Sequence, residues 1–469
     1  MPANYLHGVE TAEVQTGARP ISVVKSAVIG LIGIAPTGSK NTPILVTSDK
    51  EAAQFGSPIP GFSIPQVLNE IFTQGAGSVF VVNVFDSTTM TVQVTDEACV
   101  VTGGKFKTAF PPISGLIVKH TSGTPTYVQD TDYTVLDVYG NMAIKGSQIL
   151  EGASLKVSYK KMDGTLVTAA SIIGAETAGV RTGGKCFNLC RNLFGFNPKL
   201  IIAPGYSSLV AVATELIAIA TKFRGHAIID APSATTVAQA IAGRGPAGTI
   251  TFNTSSKRAI LAYPGMMAYD IASNANVIRP FSGFVAGIIA ATDLDYGFHF
   301  SPSNKPILGV VAPEINISAA LNDSTTEANG LNEVGIMTVF NSFGTGIRTW
   351  GDRSAAFPSS TDPSNFICVQ RTADVLMESV EQAMLQFIDL PINGALIDSI
   401  RESVNSFIRT LIARGALIDG RCTFDKTKNT PTDIAAGHLT FDVTFMPPTP
   451  AERISFQSFI DITLLKKLA

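Results

Sequence analysis

Charge is scarce in this sequence. Lys and Arg number 34 and Asp and Glu 37, so charged residues make up 15% of 469, against roughly 25% in typical soluble chains. Burial inside a large monomer lowers the need for surface charge. Burial between subunits does the same, because interface cores are depleted in charge. Composition alone does not separate the two. The formal net charge is −3, and no run of Lys or Arg supplies a phosphate-binding stripe, so direct nucleic-acid binding is not expected. Long apolar runs are also missing. Stretches such as Ser26–Pro36 are interrupted by Gly or Pro and are too short to span a bilayer, so stable membrane insertion is not expected. The opening MPANYLHGVE lacks the basic and apolar regions of a signal peptide. Cysteines number five (Cys99, Cys186, Cys190, Cys368 and Cys422). An odd, sparse set argues against a disulfide framework and suits synthesis in a reducing cytosol.

Catalytic patterns are thin as well. The five histidines, His7, His120, His226, His299 and His438, are scattered along the chain. With no G-x-S-x-G elbow, no hydrolase triad is recognisable. Gly179–Cys186 (GVRTGGKC) fits the nucleotide-binding G-x-x-x-x-G-K except at its end. A P-loop needs a Ser or Thr hydroxyl there for Mg²⁺, and a thiol is a soft ligand. The preceding SIIGAETA offers at best a short strand. The segment reads as a glycine-rich return from an inserted domain. Cys186 and Cys190 have no second pair or nearby His to complete a zinc site. Gly344–Gly351 (GTGIRTWG) places Thr349 where a dinucleotide fingerprint needs Gly, and reads as a turn into a strand. Asp293 and Asp295 read as capping and turn residues. Enzyme chemistry, metals and cofactors are therefore not expected.

What the chain does have is layered patterning. Residues 1–20 are polar and read as an extended arm. From Ile21 the chain turns apolar and β-branched, and Ser78–Phe85 (SVFVVNVF) is a nearly continuous apolar strand, the kind covered on both faces. The segments KLIIAPG, HAIIDAP and AILAYPG are strands ended by proline, which cannot donate to a ladder. Leu209–Phe223 has helical periodicity. Alternating strands and helices predict an α/β, doubly wound core over 21–85 and 177–350. Residues 86–176 change to short alternating Thr-, Val-, Tyr- and Gly-rich runs and predict an inserted all-β domain. Within it, a hairpin turns at Gly140 and Asn141, and Leu155, Val157 and Tyr159 share one face.

Residues 351–451 predict an α+β domain. Its first helix is expected over Ala373–Leu390, with Leu376, Val380, Ala383, Met384 and Phe387 on one face. Its second is expected over Gly394–Arg414, with Leu396, Ile400, Val404, Phe407, Ile408 and Leu411 together. Asn393 suits its N-cap and Gly415 its C-terminal cap. HLTFDVTF alternates with Leu439, Phe441, Val443 and Phe445 inward. After the breaker MPPTP, residues 452–469 alternate again, with Ile454, Phe456, Ile460, Ile462 and Leu464 on one face and Ser458 the polar exception. This predicts an arm strand detached from its own sheet.

Four segments resemble the contractile phage tail sheath family. They are HGVETAEVQTGARPI with the following SAVIGLIGIAP through Phe55–Gly56, then PKLIIAPG, SFGTGIRTWGDR, and FICVQRTADVLMESVEQAMLQFIDLPIN. Arg371–Thr372–Ala373–Asp374 is the most specific part. Together they cover 1–85 and about 177–469. The resemblance implies a core like subtilisin in topology but without catalysis. It implies hexameric rings stacked helically around a tail tube. Terminal arms would add strands to an adjacent subunit's C-terminal sheet, with Val9, Val14, Ile454, Phe456, Ile460 and Ile462 as subunit contacts. Implied partners are further copies of the chain, the tail tube protein, the baseplate and the tail terminator. The implied location is the virion tail sheath, assembled in the host cytoplasm. A bacteriocin or other contractile injection sheath, and a hydrolase on the same core, remain alternatives.

Overall fold

The structure, a computed structural model, describes residues 20–245, 247–270, 273–342 and 344–468. The chain divides into two compact units. One comprises Val23–Phe298 and Pro302–Glu378; the other is built on the chain from Ser379 onward.

The first unit is mixed α/β, around an eight-stranded sheet. In spatial order its strands are Ile44–Val46, Val79–Asn83, Ile29–Gly33, Leu200–Ile202, His226–Asp230, Ala259–Ala262, Ile336–Ser342 and Gly346–Trp350. The inner strands pair parallel, and the two outermost join antiparallel. Ile29, Leu31, Val79, Val81, Leu200 and Ile202 pack on one face. Ile32, Phe80, Val82, Ile201 and Leu261 pack on the other. Both faces are buried, which is why these strands read as unbroken apolar runs rather than alternating ones. Gly30 is required by close approach: a Cβ there would stand 2.9 Å from Pro198 Cβ.

Polar residues at the strand ends have specific tasks. The Asn83 side chain accepts from Ala35 and Phe85 N–H groups, each at 3.0 Å. Asp230 accepts from Ser207 Oγ (2.8 Å), Ser282 Oγ (2.6 Å) and Ser282 N (2.7 Å). It thereby sits at the N-terminus of helix Phe281–Asp295, where a negative charge is favoured.

Between Thr91 and Met162 the only regular elements are strands. Thr91–Val100, Ser154–Met162, Ile113–His120 and Thr126–Tyr127 form one sheet; Lys105–Lys107, Asn141–Ile144 and Tyr133–Val135 form another. Tyr133–Val135 and Asn141–Ile144 pair as a hairpin, and Gly140 supplies the positive φ, +80°, before the second strand. Leu155, Val157 and Tyr159 are buried in the segment's own core. Before the P-loop-like motif, SIIGAETA closes a helical turn, Ala169–Ile173, and then gives only a two-residue strand, Glu176–Thr177, paired with Val180–Arg181.

Helix Ile367–Met384 corrects the expected Ala373–Leu390. It starts earlier because Gln370, Arg371, Asp374 and Glu378 are buried, whereas a hydropathy pattern reads them as a solvent face. It ends before Phe387, where the chain turns through Asp389 (φ +66°) ahead of Pro391, and a residue preceding proline disfavours the helical region. Helix Gly394–Ala413 matches expectation. The Asn393 side chain accepts from Leu396 N at 2.8 Å, and Leu396, Val404, Phe407, Ile408 and Leu411 are buried. No helix among the described residues is long and apolar enough to cross a membrane.

Residues 452–469 were expected as a strand. The described part forms none: it runs without secondary structure to Asp461, then enters a 3₁₀ turn over Ile462–Leu468. An extended segment without a ladder partner is not stabilised as a strand.

Candidate functional site

The second unit contains a two-stranded sheet, Asp419–Thr423 against Asp442–Met446. Its two edges differ. Asn405, on helix Gly394–Ala413, donates to Cys422 O (3.1 Å) and accepts from Cys422 N (2.7 Å). The next outward N–H along the same edge, that of Gly420, is taken by Asp419 Oδ1 at 2.8 Å. Side chains have closed the Asp419–Thr423 edge. Directly opposed residues of an antiparallel pair face the same way relative to the ladder. Cys422 opposes Val443 and Gly420 opposes Phe445, so the Val443 and Phe445 backbone groups face outward from the other strand. No hydrogen bond among the described residues takes up those groups. That edge is a free template for an added strand.

The same unit carries an exposed apolar tail. Phe456 is 93% exposed and Ile460 101%. Ile454 and Ile462 are exposed too, as are Phe459 and Leu464. Single exposed apolar residues need no explanation, but a contiguous set marks an interaction segment. Val9 and Val14, expected as contacts of the N-terminal arm, lie outside the described residues. Sequence patterning named Ile454, Phe456, Ile460, Ile462 and Leu464 in the exposed tail, and did not mark Asn405, Val443 and Phe445 as belonging to the two edges of the sheet. The available signal was an Asn flanking the apolar stripe of a helix.

Candidate chemical motifs are occupied structurally. In the P-loop-like segment, Gly183 N donates to Asn41 Oδ1 (2.9 Å), so a phosphate-cradling amide is already bound. Cys186 Sγ donates to Asn41 and Arg181 carbonyls, each 3.3 Å away. Burial pushes the Cys186 thiol up to about 11 and that of Cys190 up to about 12, away from thiolate reactivity.

The Arg371–Asp374 signature is a set of buried ion pairs. Arg371 Nη1 donates to Asp293 Oδ1 at 2.5 Å, and Nη2 to Ser26 O at 3.2 Å. Asp293 is therefore an ion-pair partner rather than a capping residue. Arg258 Nη2 donates to Asp374 Oδ1 at 2.8 Å, and Lys199 Nζ lies 2.5 Å from Glu378. His226 is buried beside them. Burial first, then the charges of Arg258 and Arg371, push its imidazole well below the usual range.

Residues 179–355 match the phage tail sheath protein central domain, and residues 359–461 the phage tail sheath C-terminal domain. The tail sheath protein of Burkholderia phage BcepMu is 47% identical over 468 residues, covering 98% of each chain. That of Escherichia phage P2 is 27% identical over 303 residues, 64% of this chain and 73% of the relative. Among solved structures, the helical sheath of the anti-feeding prophage in its contracted state has a TM-score of 0.62 at 16% identity. That alignment covers 98% of this chain and all of the other, and is a likeness of fold. The chain belongs to the phage tail sheath family and is a structural subunit of a contractile tail sheath.

Proposed function

We propose that the chain polymerises as stacked hexameric rings around a tail tube, and that contraction of this polymer drives the tube through the bacterial envelope to deliver a genome. The observation that carries this reading is the pairing of one free strand edge, at Val443 and Phe445, with an exposed apolar tail in the same chain. An arm from a neighbouring copy adds to that edge. Main-chain hydrogen bonds supply affinity, and Ile454, Phe456, Ile460 and Ile462 supply anchors. Val9 and Val14 act likewise in the N-terminal arm.

In this reading the α/β core carries a subtilisin-like topology without catalysis, and the segment 86–176 is an inserted domain. The occupied P-loop-like turn and the buried His226 support a non-enzymatic role. Tube protein, baseplate and tail terminator are the further partners, with assembly in the host cytoplasm and residence in the virion tail. The same mechanics would serve an injection device that carries no genome. Electron microscopy of the purified chain is the test. Hollow tubes with six-fold end views support the proposal. A protein that stays monomeric under all assembly conditions, with its tail intact, overturns it.

A further inference from the structure

The four-stranded sheet that contains Ser154–Met162 buries Leu155, Val157 and Tyr159 on one face. Directly opposed residues of an antiparallel pair share a face, so the register defines the other one. Lys156 opposes Lys119 in one neighbouring strand and Ala98 in the other. Along the same face Ser158 opposes Ile117, Lys160 opposes Ser114 and Ser154 opposes Val100. Ile117 and Val100 are exposed.

The charge of this outer face is unbalanced. Lys119 and Lys156 stand directly across from one another, a destabilising arrangement for like charges. The four strands carry two carboxylates. Asp96 accepts from Ser158 Oγ at 3.3 Å and lies 3.9 Å from Lys156 Nζ. Glu97 opposes Val157 and accepts from Tyr159 Oη, so it belongs to the buried face. Lys119 and Lys160 have no ion-pair partner among the described residues. Three lysines therefore stand against one aspartate, beside two exposed apolar side chains. Such a surface fits a partner that is acidic around an apolar contact.

The chain itself carries a surface of that kind. Residues 306–347 include Glu314, Asp323, Glu327 and Glu333 and no Lys or Arg. Leu321, in the same stretch, is 76% exposed. Asp323 and Glu327 are exposed as well. Asp323 accepts from Thr325 through Oδ1 alone, and Glu327 from Ser318 through Oε2 alone. The other oxygen of each takes no hydrogen bond among the described residues. The ends of this loop are tied, because Glu327 N donates to Ser318 Oγ (3.1 Å) and Ala328 N to Ser318 O (3.0 Å). Holding the loop in one shape lowers the ordering cost of docking it.

We propose that the outer lysine face of one copy docks the acidic loop of a second copy. Leu321 packs against Ile117 and Val100, and the Asp323 and Glu327 carboxylates meet Lys119, Lys156 and Lys160. The two patches differ, so the contact is heterologous and passes from copy to copy, as an extended polymer requires. The inference rests on the polymerisation proposed above and is independent of which strand edge the arms occupy.

The test is zero-length carbodiimide cross-linking of tubes assembled from an equal mixture of light and isotope-labelled chains, followed by mass spectrometry. Peptides joining Lys119, Lys156 or Lys160 to Asp323 or Glu327 are expected in mixed light–heavy pairs, which only two different copies can give. Lys119→Glu with Lys156→Glu is expected to raise the concentration needed for assembly by about tenfold or more, because like charges then face each other across the contact. Tubes without the mixed peptides overturn the inference and leave the polymerisation standing, a result that depends on no variant. Unchanged assembly by the folded double variant also overturns it. A chain that stays monomeric at every concentration overturns both the inference and the polymerisation.

Discussion

The side-chain amide of Asn405 holds both backbone groups of Cys422, accepting from its N–H at 2.7 Å and donating to its carbonyl at 3.1 Å. It imitates a neighbouring strand and gives the hairpin a closed side and an open side. Proline tests the difference, because it removes one N–H and is tolerated on an edge facing solvent. Val443→Pro is expected to leave the monomer folded and abolish polymerisation. Asn405→Leu leaves the buried Cys422 N–H unpaired and should cost about 1–3 kcal/mol in urea unfolding, while tubes still form. The reverse pattern would place the added strand on the Asp419–Thr423 edge.

Phe456 and Ile460 touch almost nothing in the single chain, at 93% and 101% exposed. Changing both to Asp should therefore shift monomer stability by no more than about 0.5 kcal/mol. In an added strand each buried anchor would contribute about 1.5–3 kcal/mol, set against ~1–2 kcal/mol per ordered backbone residue. The anchors decide the balance, so the double variant should sediment as monomer. Tubes sedimenting normally from this variant would remove the tail from the subunit contact.

Arg371 and Asp293 form a buried pair whose side chains are 6% and 1% exposed. Breaking such a pair from one side strands a charge and costs about 3–5 kcal/mol, whereas replacing both partners with apolar groups is often neutral. Arg371→Met should lower the urea midpoint sharply, and Arg371→Met with Asp293→Leu should recover most of the loss. Equal losses in single and double variants would show that packing of the arginine stem, rather than charge, is what matters.

The helix carrying Arg371 also shows where sequence reading stopped. Doubly covered strands such as Val79–Asn83 and the proline-ended strands announce themselves, because burial on both faces leaves an apolar run with polar residues only at its ends. Helix Gly394–Ala413 does so through its stripe and its Asn393 cap. The first turns of Ile367–Met384 stay hidden because their buried side chains are charged, and their partners Asp293, Arg258 and Lys199 lie far away in sequence. The candidate site is split in the same way. Exposed anchors such as Phe456 are visible as an alternating apolar run. An open edge at Val443 is defined by backbone direction and by Asn405, and neither leaves a mark in hydropathy.

The two ends of the all-β stretch from Thr91 to Met162 lie side by side. Thr91 opposes Met162 across an antiparallel pair, and Asp163 N donates to Met90 O at 3.0 Å. Its core, including Val118, Val157 and Tyr159, is its own, whereas Met162 packs in the α/β core. Replacing Val92–Lys161 by a short Gly/Ser linker should thus keep Met90 and Met162 in place and leave a soluble, cooperatively unfolding protein. Tube formation by this variant, judged by sedimentation, would make the segment peripheral to assembly. A folded variant that forms no tubes would assign it subunit contacts.

Glu70 sets a pH dependence whose sign follows from its burial. Folded, it holds its proton up to about pH 8, because desolvation outweighs the opposing charge of Arg279; the ordinary glutamate value is 4.5. Between those values the folded state binds more protons than the unfolded chain, so stability falls as pH rises. This contribution is complete below pH 4.5 and is lost on passing about 8. Asp230, pushed up to about 6 from 3.8 by burial against the pull of its serine hydrogen bonds, acts in the same direction over its own window. His226 acts oppositely. Its imidazole is pushed below its ordinary 6.5, so its contribution is present above that pH and is lost as pH falls. Asp270, held below its usual range chiefly by Ser273, titrates at lower pH. The Glu70 effect is therefore isolated by comparing the native chain with Glu70→Gln at pH 5 and pH 8.5. The native chain should lose more stability between the two pH values than the variant, read as the difference in urea midpoints. Parallel losses in the two proteins would mean that Glu70 ionises near its ordinary value when folded, and that another group carries the dependence.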